Sequence, residues 1–232
     1  PVSVAPRPQV QMTLATYART VAQLAAYRDT VRAVFMNNYN EPTADRDFLA
    51  QVKLLKEAGL PPALNTNGSG LTPARVDQLM ALGGLAYLSV NLSTLDRARY
   101  RKDRGVDLLP RVLKNLDYLR DLALSPFMII AVLGHEDTDH AREHQRIAAY
   151  FAGSRFEAKK FTIMDRAQWL NLGLGLPEPH QHLRGCNQTG SRPIEHLHIN
   201  PQGQCLLCCQ DYQERYVVGD LNQQTVAEVL AG

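Results

Sequence analysis

Four cysteines, Cys186, Cys205, Cys208 and Cys209, fall within a 24-residue window near the C-terminus, and the first 185 residues contain none. Thiols crowded into one segment favour metal ligation over a framework of scattered disulfides. The Cys205-x-x-Cys208 spacing lets a tight turn present two sulfurs to one metal. Cys186 lies nineteen residues before Cys205 and returns to the group if the chain folds back as a hairpin. Cys208 and Cys209 are adjacent, so in an extended backbone their side chains diverge and the pair need not serve one centre. An iron–sulfur cluster is the first reading of this group. A zinc site and buried free thiols are the alternatives.

The elements that position such a group are read from hydrophobic periodicity. A helical pattern spans about 13–27, and Val31 to Met36 reads as a strand. Thr43 is placed to cap a helix carrying Phe48, Val52 and Leu55, which Gly59 ends. Pro62 to Leu64 is extended, and Thr72-Pro73 starts a helix that stops at Gly83-Gly84. Leu85 to Leu92, Phe127 to Leu133 and Phe156 to Met164 are strands. Between them lie a helix over about 108–122 and one capped by Thr138 or Asp139, while the basic run Arg97 to Arg104 is placed in a loop. Strands separated by helical crossovers imply a parallel sheet with helices packed on it. The expected fold is α/β: a partial parallel (β/α) barrel over 1–168, then a connector and cysteine-rich extension over 169–232. A doubly wound sheet is the alternative. The chain opens on a helix where the pattern wants a strand, so a strand and its loop are expected before Pro1. In the extension, His196 to Ile199 and Gln204 to Leu207 flank the turn Asn200-Pro201-Gln202-Gly203 as a hairpin, and Thr225 to Leu230 forms a last helix.

In parallel α/β folds, ligands bind at the C-terminal ends of the strands. Here those ends are polar: Asn37 to Thr43, Asn65 to Gly70, Ser89 to Ser93, Gly134 to Glu136, and Asp165-Arg166. Amides, hydroxyls, carboxylates and a guanidinium on one rim suit a zwitterionic or sugar-bearing ligand. His135, His140 and His144 read as a surface group, because a third ligand is not in sight. The net charge is +2 with both signs mixed, which excludes a broad nucleic-acid-binding face. The longest apolar run, Phe127 to Leu133, is too short to span a bilayer. A cytoplasmic protein with neither nucleic acid nor membrane as partner is expected.

Several of these segments resemble one family. Tyr39-Asn40-Glu41-Pro42-Thr43 resembles the Gly-Gly-Glu-Pro motif of radical S-adenosylmethionine (radical SAM) enzymes, Asn65-Thr66-Asn67-Gly68 the segment ending their third strand, and Leu88-Ser89-Val90-Asn91 their fourth-strand segment. Pro201-Gln202-Gly203 through Cys208-Cys209-Gln210-Asp211, followed by Gly219-Asp220-Leu221, is similar to the SPASM or twitch extension. The resemblance implies an enzyme that cleaves S-adenosylmethionine to a 5′-deoxyadenosyl radical and abstracts hydrogen from substrate. It implies a catalytic four-iron four-sulfur cluster, an auxiliary cluster of the same type, and an electron donor such as flavodoxin or ferredoxin. Carried over by residue, Glu41 would accept from the cofactor's α-amino group and the backbone at Asn40, held by Pro42, would bind the same group. Thr66, Asn67, Ser89 and Asn91 would line the cofactor, and Arg104 would pair with its carboxylate. Cys186 and Cys208 are the implied auxiliary-cluster ligands, Cys205 takes a position that is usually apolar, and Cys209 is the fourth candidate.

The Cys-x-x-x-Cys-x-x-Cys triplet that holds the catalytic cluster in the family does not occur in this chain. It is expected upstream of Pro1, in the loop after the strand already called for. The expected substrate is a ribosomally made peptide. Oxidation of a small sugar or aminocyclitol is one alternative, a non-catalytic metal-binding scaffold another, and a zinc-bearing barrel hydrolase a weaker third.

Overall fold

A computed structural model describes residues 10–37, 40–163 and 195–232. The chain divides into two compact units, one of them Ala25–Ile163 and the other formed by the two ends of the chain. Cys186, Asp165 and Arg166 lie outside the described residues.

The unit Ala25–Ile163 is built on five parallel strands, β1 (Val34–Phe35), β2 (Pro62–Thr66), β3 (Tyr87–Asn91), β4 (Met128–Gly134) and β5 (Phe156–Thr162), hydrogen-bonded in that order. Its crossovers are α2 (Phe48–Glu57), α3 (Pro73–Ala81), α4 (Arg97–Arg104), α5 (Leu109–Leu119) and α6 (Thr138–Tyr150). The register pairs Leu64 with Leu88, Leu88 with Met128, Val90 with Ile130, and Met128 with Phe156. Side chains alternate along a strand, so these residues share one face. That face joins Val52, Val76, Leu79, Val112, Leu116 and Ile147 in a single buried core. The opposite face carries Ala63, Asn65, Ser89, Asn91, Ile129 and Ala131, which are small or polar at most positions. One strand set therefore builds an apolar face that forms the core and a second face of smaller and more polar side chains.

Three elements differ from the sequence expectation. Arg97–Arg104 is a helix, not a loop: Asp96 caps it by accepting from the Arg99 amide, and Gly105 ends it with a left-handed φ of 73°. It buries only Tyr100, so periodicity had nothing to register. Thr43 sits inside a short 3₁₀ turn (Pro42–Ala44), and α2 begins after Asp47 instead. Asp137, not Thr138 or Asp139, caps α6, accepting from the His140 amide at 2.7 Å. Thr72 caps α3 with Pro73 behind it, as its sequence indicates.

The other unit includes α1 (Leu14–Leu24) and an antiparallel sheet of β6 (His198–Ile199), β7 (Gln204–Leu206) and β8 (Val217–Asp220), followed by α7 (Val226–Ala231). The β6–β7 hairpin matches the expected turn, where Gly203 adopts a φ of +87°. The Asn200 carboxamide oxygen accepts from the Gln202 and Gln204 amides, which fixes the turn from inside. β8 was not foreseen as a strand. Gln23 of α1 donates to the Leu221 carbonyl and accepts from the Val226 amide, joining the first helix to the last. A capping box between Thr225 and Glu228 starts α7. Among the described residues no helix is long and apolar enough to cross a membrane.

Candidate active site at the strand ends

The C-terminal ends of β1 and β2 are tied together by one carboxylate. Glu41 Oε1 accepts from the Thr43 amide at 3.1 Å, the Thr43 hydroxyl at 2.5 Å and the Thr66 hydroxyl at 2.6 Å. Its Oε2 accepts from the Asn67 amide at 2.7 Å. A carboxylate offers about four lone-pair sites, and here three donors share Oε1 while one meets Oε2. Glu41 thus clamps the loop after β1 to the loop after β2. Thr66 passes the restraint on, accepting from the Gly68 amide at 3.1 Å. Asn67 closes the same loop by accepting from Ser69.

Residues that the sequence reading did not single out complete the clamp. Arg75 donates to the carbonyls of Thr43 and Gly70, while its guanidinium lies 5.8 Å from the Phe48 ring centroid. Asn115, buried on α5, donates to the Gly68 and Ser69 carbonyls at 3.0 and 3.2 Å. Gly70 has no room for a side chain, because a Cβ there would meet the Thr43 side chain and, at 2.9 Å, its carbonyl. Gly70→Ala is expected to displace Thr43 and to destabilise the fold by about 1–3 kcal/mol. A thermal melt beside the parent protein checks this.

β3 supplies the other half. Ser89 and Asn91 are two residues apart and so lie on the second face together. Arg104, the last residue of α4, donates from Nη2 to Asn91 Oδ1 at 2.7 Å and to the Asn91 carbonyl at 3.2 Å. Its guanidinium carbon lies 6.0 Å from the Tyr100 ring centroid. Burial pushes the Tyr100 phenol up, with Arg104 opposing and Glu41 adding to the rise, so the clamp and the guanidinium both act on this ring. Two other residues of the basic run have acidic partners of their own. Arg97 pairs with Asp107 at 2.7 Å, and Arg99 lies 3.8 Å from the buried Glu143. Asn40 is exposed and donates to the Met36 carbonyl, and Pro42 is buried at the start of the 3₁₀ turn.

At the end of β4, His135 is exposed as expected, but His140 and His144 are not surface residues. His140 is 3% exposed, with Nε2 at 2.8 Å from the Val132 carbonyl and Nδ1 accepting from the Glu136 amide. Because a carbonyl can only accept, Nε2 is the donor to Val132 in this arrangement. His144 Nε2 bonds the Ala158 carbonyl at 3.0 Å, so both rings are structural. Gly134 makes room for His140, because a Cβ would stand 2.6 Å from its Cδ2.

Among the cysteines, Cys205 is fully buried in β7 between Ile199 and Gly219, and burial with Asp220 nearby pushes its thiol up to about 11. Cys208 is half-buried in the turn that follows, and its sulfur accepts from the Gln210 amide at 3.4 Å. An amide aimed at sulfur stabilises a thiolate, so Cys208 has the chemistry of a cluster ligand. Cys209 is half-buried, with the Gln210 carboxamide 4.0 Å from its sulfur. Among the described residues no three His, Cys, Asp or Glu side chains converge on a possible metal position.

Comparison with known proteins bears on both units. The family model described as the radical SAM superfamily matches residues 2–146, and that of the SPASM iron–sulfur cluster-binding domain matches residues 186–232. A search of curated proteins finds no match. Three solved structures share the fold. SuiB of Streptococcus suis bound to precursor peptide SuiA is 14% identical with a TM-score of 0.69, over 98% of this chain and 60% of SuiB. Native anSMEcpe with bound AdoMet is 12% identical with a TM-score of 0.68, over 94% of this chain and 71% of the other. BtrN in complex with AdoMet and 2-DOIA is 15% identical with a TM-score of 0.53, over 97% and 72%. The chain belongs to the radical SAM superfamily of enzymes and carries a C-terminal SPASM extension, so that S-adenosylmethionine and four-iron four-sulfur clusters are its cofactors.

Proposed function

We propose that this enzyme uses S-adenosylmethionine to abstract a hydrogen atom from a peptide substrate, with the rim of β1–β3 as the cofactor site. The observation that carries the reading is the meeting of Arg104 and Asn91 at the end of β3, beside the loops held by Glu41. When bound, S-adenosylmethionine and the catalytic cluster supply a 5′-deoxyadenosyl radical. The protein's part is to bind, orient and enclose. Arg104 uses one nitrogen on Asn91 and keeps the rest of its planar fork for the cofactor carboxylate. Asn91 and Ser89 present polar groups on the second face to the ribose. Glu41 acts by positioning, holding the backbone about Asn40 and Asn67, and its Oε2, which has the Asn67 amide as its donor among the described residues, offers a second lone pair to the α-amino group.

In the extension, Cys208 would hold the auxiliary cluster together with Cys186, while Cys205 serves as a core residue. Held there, the cluster would anchor substrate or accept an electron from it. A peptide substrate is supported by the likeness to SuiB, whose structure holds its precursor peptide. The likeness to BtrN, with a TM-score of 0.53, favours a small-molecule substrate as a second reading.

The test is an anaerobic incubation of the full-length protein with S-adenosylmethionine and dithionite, followed by chromatography for 5′-deoxyadenosine. Its formation is expected, and its absence from a cluster-replete preparation would overturn the reading. Arg104→Ala is expected to raise the S-adenosylmethionine dissociation constant about 10- to 100-fold, the worth of hydrogen bonds to a charged group. Isothermal titration checks this, and an unchanged constant removes Arg104 from the site.

A further inference from the structure

We propose that Tyr100 is a positioning residue that holds the Arg104 guanidinium in the orientation from which it reads a carboxylate. This rests on the cofactor site proposed above and adds a residue to it.

Tyr100 and Arg104 are four apart on α4, so their side chains share one face of the helix and stack along it. An arginine at the end of a helix, followed by glycine, has many rotamers open to it, and selecting one costs side-chain entropy. Two contacts limit that freedom. One is the pair of hydrogen bonds to Asn91, both from the same nitrogen, Nη2. Bonds from a single nitrogen fix a point and leave the guanidinium plane able to turn about it. The Tyr100 ring is the second contact, with the guanidinium carbon 6.0 Å from its centroid. The ring face attracts the cation, and this restrains the turn.

The ring itself is packed into the core. Tyr100 is 4% exposed, is the one buried residue of α4, and belongs to the main apolar core. It thus anchors α4 to the core and offers Arg104 a fixed surface. Burial raises the phenol pKa, with Arg104 opposing and Glu41 adding to the rise. Tyrosine suits this place because its ring is apolar and its hydroxyl tolerates the polar side. Removing the ring frees the guanidinium without touching any group that meets the ligand.

The experiment is a double-mutant cycle read by titration of the full-length holoenzyme with S-adenosylmethionine and, separately, with decarboxylated S-adenosylmethionine. The two ligands differ in the carboxylate alone. Tyr100→Leu is expected to weaken S-adenosylmethionine about tenfold and decarboxylated S-adenosylmethionine less than twofold. Tyr100→Phe, which keeps the ring, is expected to restore parental affinity to within about threefold. In the Arg104→Ala background, Tyr100→Leu should cost nothing further. Equal losses for both ligands, or the same loss with and without Arg104, would overturn the proposal and assign Tyr100 a packing role only. If Tyr100→Leu unfolds, Tyr100→Met carries the same comparison with a side chain of closer volume. Failure of the underlying site looks different, because Arg104→Ala alone would then leave the preference for the carboxylate-bearing ligand intact.

Discussion

Glu41→Ala is expected to abolish measurable S-adenosylmethionine binding and to lower the stability of the parallel unit by about 3 kcal/mol. Four donors lose their acceptor at once, and hydrogen bonds to charged groups are worth about 1.5–3 kcal/mol each before relaxation. The Thr66 hydroxyl is buried, so solvent compensates it poorly. Glu41→Gln separates the two effects. It keeps the shape and one oxygen but turns the other acceptor into a donor facing either Asn67 N–H or the Thr43–Thr66 hydroxyls. Denaturant melts of the three proteins measure the stability change, and titration under anaerobic conditions measures binding. A direct contact between Glu41 and the cofactor alone would leave the melts unaltered. A clamp shifts melt and titration together.

The second large effect is expected in the extension. Cys208→Ala should lower the iron content of the full-length protein by about four atoms per chain, the complement of one four-iron four-sulfur cluster. Cys205→Ala should leave iron unchanged and cost about 1 kcal/mol of stability, as for other small core truncations. The contrast follows from placement. Cys205 is enclosed in the sheet, whereas Cys208 sits in the following turn with an amide directed at its sulfur. Iron and acid-labile sulfide analysis of both variants checks the assignment. Loss of iron from Cys205→Ala would return that residue to the ligand set.

The parallel sheet was legible because burial on one face forces a pattern. Leu88 and Val90 alternate with Ser89 and Asn91, and the same rule marks β4 by its apolar run. α4 was not legible. It is stabilised by an aspartate cap, a glycine end and one buried tyrosine, and five of its eight residues are basic. Those are local hydrogen bonds, which leave no apolar period. The rim was legible as a polar composition at the strand ends, since β1, β2 and β3 lead into amides and hydroxyls. How those residues divide the work was not. The bond from Thr66 to Glu41 spans 25 positions, and that from Asn115 to Gly68 spans 47. Asn115 stands between apolar neighbours in a helix stripe, where a sequence gives no sign that a lone amide is aimed at a loop. The histidines of α6 were misplaced for the converse reason, since His140 and His144 are polar by type yet packed against strand carbonyls.

The bonds between Gln23 and the Leu221–Val226 segment set a timetable for the nascent chain. Their partners are 198 and 203 positions apart. At about 5–20 residues per second, the ribosome needs on the order of 10–40 s between making one side of this contact and the other. Throughout that interval α1 is an eleven-residue helix without its mate, too short to persist in water alone. The parallel strands have meanwhile all been made. α1 is therefore synthesised before those strands yet gains this contact after them, and a ribosome stalled before Leu221 leaves it without that partner.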